Sequence, residues 1–221
     1  MIKSIKEFYA NFLTAMYGFL LIRGFEDFIN IISKSDKPTV FILLTAAYVN
    51  VLHFWLVFVT ATKDTFSLIE SLAHQSNSKR MLAFWTEISF ATLILLPLLL
   101  FKYLESVKSF TGGLLCIAIW SFLWDVWAFV VDKKLKVQNA KDANTFTEQG
   151  IEMLFKWIGL DLLFVIIMGA IYAIVSSQAK VDELLVSTVL LAISLVGALI
   201  DTVILNSSMY IDSLFPKEDH K

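Results

Sequence analysis

A single cysteine, Cys116, stands in the 221 residues, inside an apolar run, so neither an internal disulfide nor a C-x-x-C redox pair is available. Arginine occurs only at Arg23 and Arg80, which excludes an arginine-rich voltage sensor. Three histidines (His53, His74 and His220) with one cysteine leave too few ligands for a conventional zinc site, and neither a metal nor a cofactor is expected. No TVGYG-like filter, P-loop or G-x-S-x-G nucleophile elbow is present. No lysine lies in the middle of an apolar stretch to carry a Schiff-base retinal. The net charge of −2 gives no basic field for nucleic acid. Proline (3) and glycine (8) are scarce, and few breaks interrupt the apolar runs, which argues against the discontinuous helices of many transporters.

What is abundant is apolar surface. Hydrophobic residues make up 57% of the chain, charged ones only 17%, and mean hydropathy is +0.72. A soluble domain carries more charge and shorter apolar runs. Crossing a hydrocarbon core of ~30 Å takes about 20 mostly apolar residues as a helix. Six stretches qualify: about 8–32, 38–62, 81–101, 110–131, 157–177 and 184–206. The expectation is an all-α integral membrane protein, one polytopic domain of six spans arranged as three helical hairpins. The start, MIKSIKEF, carries two lysines but leads into no short h-region with a small-residue cleavage site, so it reads as retained rather than as a signal peptide.

The connectors carry helix-start signals. Ser4–Glu7 and Thr145–Glu148 fit the S/T-x-x-E capping box, and Pro38 suits a first helical turn. Connector 63–80 spaces Phe66, Ile69, Leu72 and Ala73 as one face of an interfacial helix. Connector 132–156 is charged, and its second half is expected to run into the fifth span as helix.

Basic residues orient the chain. With six spans, one side holds Lys3, Lys6, Lys63, Lys79, Arg80, Lys133, Lys134, Lys136, Lys141, Lys156, Lys217 and Lys221. The other holds only Lys34, Lys37, Lys102, Lys108 and Lys180. The positive-inside rule then puts both termini and connectors 63–80 and 132–156 in the cytoplasm, with the chain in the plasma (inner) membrane. Trp85, Trp127 and Trp157 fall near the inner span ends, as an aromatic belt would.

This orientation brings His53, Glu87, Asp125, Asp161 and Asp201, from five spans, to roughly one depth in the inner half. An ionised Asp at the centre of a membrane helix costs about 2.5–3.5 kcal/mol on insertion scales, which favours clustering around water or partners. Helical spacing groups Ala46, Asn50, His53 and Thr60 on the second span. It groups Ala118, Ser121, Asp125, Ala128 and Asp132 on the fourth, and Ser194, Gly197, Ala198, Asp201 and Ser208 on the sixth. Trp120, Trp124 and Trp127 fall on the side of the fourth span away from Asp125. "HFWLVFV" (53–59) can be laid over "DVWAFVV" (125–131), matching His53 to Asp125. In the outer half, Arg23, Glu26 and Asp27 sit three and four residues apart and can neutralise one another.

Small and polar residues also glue membrane helices together. Five ionisable groups at one depth favour a hydrated cavity, and a histidine beside acids favours proton relay. The functional expectation is a cation or proton pathway with an acidic, cytoplasm-facing vestibule, built as a homo-oligomer in the lipid bilayer. Asn50, His53, Glu87, Asp125, Asp161 and Asp201 would line it, and Arg23, Glu26 and Asp27 would form an outer charged cluster. Two alternatives stand beside it. One is an intramembrane enzyme using His53 and an acid on a lipid or small molecule. The other is an assembly module that recruits a soluble cytoplasmic partner through 63–80 or 132–156.

Overall fold

The computed structural model describes scattered residues between Ala15 and Ser33, then 37–73, 77–138, 148–178 and 180–201; the side chains of 57–84, 87 and 132–154 lie outside that description. The described residues are almost all helical, with no strand among them. From Pro38 on, the described residues form five α-helices: α1 (Pro38–Ala73), α2 (Asn77–Leu95), α3 (Val107–Gln138), α4 (Glu148–Ser177) and α5 (Glu183–Leu199). A 3-10 segment, Leu96–Tyr103, separates α2 from α3. Among the described residues, three windows are long and apolar enough to cross a membrane: Pro38–Leu56, Val107–Val131 and Phe155–Ser177. Ile88–Tyr103 and Glu183–Leu199 are shorter apolar stretches.

Local chemistry sets the helix starts. α1 opens on Pro38, whose missing N–H costs nothing in a first turn. Ser106 accepts from the Ser109 amide at 3.2 Å in front of α3. Asp182 accepts from the Leu184 and Leu185 amides, both at 3.1 Å, in front of α5. α4 begins at Glu148; Thr145 of the expected capping box lies outside the described residues, as do Ser4 and Glu7.

Two features differ from the sequence expectation. First, α1, α3 and α4 have 36, 32 and 30 residues. At 1.5 Å per residue they are roughly 45–54 Å long, well beyond the ~30 Å of a hydrocarbon core. The excess falls within the connectors: 63–73 continues α1 and 132–138 continues α3, whereas 148–156 opens α4 as expected for the second half of its connector. No Gly or Pro interrupts 63–73, so the helix has no reason to stop where hydropathy falls.

Second, the span expected over 81–101 is not one α-helix. Pro97, at the start of the 3-10 segment, has no N–H for the Leu93 carbonyl and its ring crowds the preceding turn. The chain tightens into 3-10 geometry for eight residues, long for this type. Pro97, Leu100 and Phe101 are buried there. Two glycines let neighbours close on this segment: a Cβ on Gly24 would lie 3.1 Å from the Phe101 ring, and one on Gly113 would lie 3.0 Å from Leu100.

α3 packs along α4, and α1 along both α5 and α2. Chain neighbours are thus not always the closest packing partners. The core between them holds Leu43, Ala46, Ala47, Val51, Phe90, Phe110, Leu114, Met168 and Leu190, all at or below 1% exposure. α4 is the most peripheral of the three long windows, with 11% of its window buried. Its middle exposes apolar residues, among them Leu162, Leu163, Ile166 and Ile174, and α5 exposes Leu184, Leu185, Leu195 and Leu199. Such an outer face suits lipid and not water.

Candidate functional site

The polar faces of α1, α3, α4 and α5 meet in one cavity of about 120 Å³. The period of the helix is the cause. Asn50 and His53 are three residues apart on α1, as are Ser194 and Gly197 on α5, with Asp201 four residues further on, so small and polar side chains share a side. Across the cavity, Ser121 and Asp125 of α3 face Asp161 of α4.

One group of contacts ties α1 to α5. Asn50 Nδ2 donates to the Ala46 carbonyl and to Ser194 Oγ, each at 2.8 Å. His53 Nε2 lies 3.2 Å from Asp201 Oδ2. Trp157 of α4 donates from Nε1 to Asp201 Oδ1 at 2.8 Å, so Asp201 bridges α1 and α4 from its place beyond α5. The chain widens to a π turn at Ile200–Asp201. The second group is the pair Asp125 and Asp161, which interact with each other and with Ser121 close by.

Asp125 and Asp201 are 8% and 6% exposed. His53 Nδ1 and Asp161 Oδ2 are buried with no hydrogen-bond partner. Among the described residues, no Lys or Arg lies on the cavity wall. Carboxyl groups gathered in a low-dielectric site cost energy unless a positive charge, a proton or another cation, joins them. The arrangement is therefore suited to attracting positive charge, and the His53–Asp201 contact to passing a proton. Among the described residues no three His, Cys, Asp or Glu side chains converge as metal ligands.

Of the expected site residues, Asn50, His53, Asp125, Asp161 and Asp201 come together in this cavity. Glu87 lies on α2, but its side chain is outside the described residues, as are those of Thr60, Asp132 and Ser208. In the outer cluster Glu26 is exposed, while Arg23 and Asp27 lie outside the described residues. The superposed heptapeptides give different pairings: His53 meets Asp201, and Asp125 meets Asp161.

Trp157 and Trp124 sit differently from the expectation, while Trp120 and Trp127 face a neighbouring helix, as expected. Trp157, read as part of an aromatic belt, lines the cavity and holds Asp201. Trp124, read as facing away from Asp125, is 9% exposed and lines the same cavity. Trp120 and Trp127 turn toward α2, donating to the Ser89 carbonyl at 3.2 Å and to Thr86 Oγ1 at 3.1 Å. An indole N–H in an apolar surround needs an acceptor, and these helices supply one. The sequence signal for Trp157 was its place one turn before Asp161, on the same helical face.

Comparison of the chain with protein-family models, with characterised proteins and with solved structures gives no match.

Proposed function

We propose that the chain forms a cation or proton translocation pathway in the plasma (inner) membrane, with six spans, both termini cytoplasmic and the acidic cavity serving as its vestibule. One observation carries this reading: three aspartates and a histidine, from α1, α3, α4 and the turn after α5, line one cavity that has no Lys or Arg among the described residues of its wall. Acidic groups along a pathway are a usual means of favouring cations. The test is charge flux into vesicles reconstituted with the purified protein, compared between wild type and Asp125→Asn.

A second reading is supported by the 3.2 Å separation of His53 and Asp201 beside a cavity, the geometry of a general base and its partner. An intramembrane enzyme of this kind turns over a lipid or small molecule without carrying net charge across vesicles, so the same flux assay separates the two.

The orientation rests on the excess of basic residues on the side of 63–80 and 132–156. Cysteine replacing Lys134 or Lys141 should resist impermeant thiol reagents added outside intact cells, whereas cysteine replacing Ser35 should be labelled. The native thiol needs removing first, since Cys116 is exposed. Labelling at Lys134 and protection at Ser35 would reverse the topology. Assembly rests on the exposed apolar faces of α4 and α5 and on the small residues that permit close helix approach. The native mass in mild detergent should correspond to a homo-oligomer; a monomer mass refutes that part of the reading.

A further inference from the structure

The cavity wall is as aromatic as it is acidic. Phe54, Phe90, Trp124, Trp157 and Phe164 line it together with the carboxylates. The rings are held in place: Phe90 and Trp124 lie 5.3 Å apart between centroids, His53 and Phe54 lie 5.5 Å apart edge-on, and Trp157 is anchored through its N–H to Asp201. Asp161 Oδ2, fully buried on the wall, has no hydrogen-bond partner.

Size and wall chemistry narrow the ligand. A bare hard cation asks for about six or more oxygen ligands, whereas most of this wall is ring and aliphatic carbon. A cavity of about 120 Å³ is slightly smaller than the roughly 150 Å³ that accommodates benzene, so it suits a ligand of about five heavy atoms. Ring faces attract an organic cation strongly when the site is desolvated. The Asp161 carboxylate, with its Oδ2 still open to a donor, and the neighbouring Asp125 supply the opposite charge.

We infer that this cavity binds a small organic ammonium group, its charge set against Asp125 and Asp161 and its methyl or methylene groups against Trp124, Phe90 and Phe54. This rests on the same cavity being the working site and adds the chemical class of its ligand. The group can belong to a free amine or to the headgroup of an ammonium-bearing lipid, since both present the same chemistry.

Tetramethylammonium is the probe, and 2,2-dimethylpropan-1-ol is its neutral counterpart of similar shape. Calorimetric titration of the full-length protein, in a detergent without ammonium groups and at constant ionic strength, should show saturable tetramethylammonium binding. The alcohol should bind about tenfold more weakly or worse. Asp161→Asn should weaken tetramethylammonium by about tenfold, and Trp124→Leu by several-fold, while Trp124→Phe keeps most of the affinity. Repeating the titration in phosphatidylglycerol vesicles with and without phosphatidylcholine identifies the source: loss of probe binding with phosphatidylcholine assigns a lipid headgroup, and undiminished binding a free amine. Equal affinity for the alcohol, or no saturation by tetramethylammonium in wild type, overturns the inference even if no variant folds. Wild type that carries charge across vesicles yet shows no preference for the ammonium overturns this ligand class and leaves the proposed pathway. Wild type that binds the ammonium without moving charge does the reverse.

Discussion

Asp125→Asn is expected to lower charge flux through reconstituted vesicles at least about tenfold while membrane yield stays near wild type. The carboxylate is 8% exposed, lines the cavity and faces Asp161. Asparagine preserves shape and hydrogen bonding, so only the negative charge is lost. Asp125→Leu separates charge from structure. It removes the polar partner of Asp161, whose Oδ2 already lacks one, and a buried polar group left unsatisfied costs about 1–3 kcal/mol. The leucine variant should therefore lose yield as well as flux. A leucine variant more stable than wild type, together with a wild type that moves no charge, would mean that Asp125 belongs to helix packing alone.

The second large effect concerns the His53–Asp201 contact at 3.2 Å. A proton-linked pathway predicts a flux that changes with pH between about 5 and 8, the range in which histidine ordinarily changes charge. His53→Ala should flatten that profile. Asp201→Asn should lower flux while keeping an acceptor for the Trp157 N–H, which lies 2.8 Å from Oδ1. The two residues act as a unit, so the double variant should lose little more than the worse single one, a non-additivity of the kind that contacting residues show. Additive losses, or a pH profile untouched by His53→Ala, would reduce the pair to packing between α1 and the end of α5.

The parts of this molecule legible in the sequence are those governed by periodicity. Hydropathy marked the apolar stretches, and helical spacing grouped Asn50 with His53, Ser121 with Asp125, and Ser194 with Asp201, which the fold brings to one cavity. Proline chemistry located the start of α1 at Pro38. Helical spacing marked 63–73 as helix, but hydropathy does not report helix length, so its continuity with α1 stayed hidden. Pro97 was visible, but the 3-10 path after it depends on burial of Leu100 and Phe101 against neighbours distant in sequence. Tertiary pairing was least accessible. Nothing local to Trp157 indicates Asp201, 44 residues away, as the acceptor of its N–H. The packing of α1 along α5 likewise joins elements far apart in the chain.

The most direct measurement is the movement of charge by the wild-type protein itself. Vesicles loaded with a pH-sensitive dye and carrying the protein receive an imposed membrane potential, first with protons and then with potassium or a small organic ammonium as the permeant cation. The acidic cavity predicts a potential-driven internal pH change or cation uptake well above protein-free vesicles, and its near-abolition by Asp125→Asn. Uptake and pH traces matching those of empty vesicles, from protein shown to be folded and inserted, contradict the account.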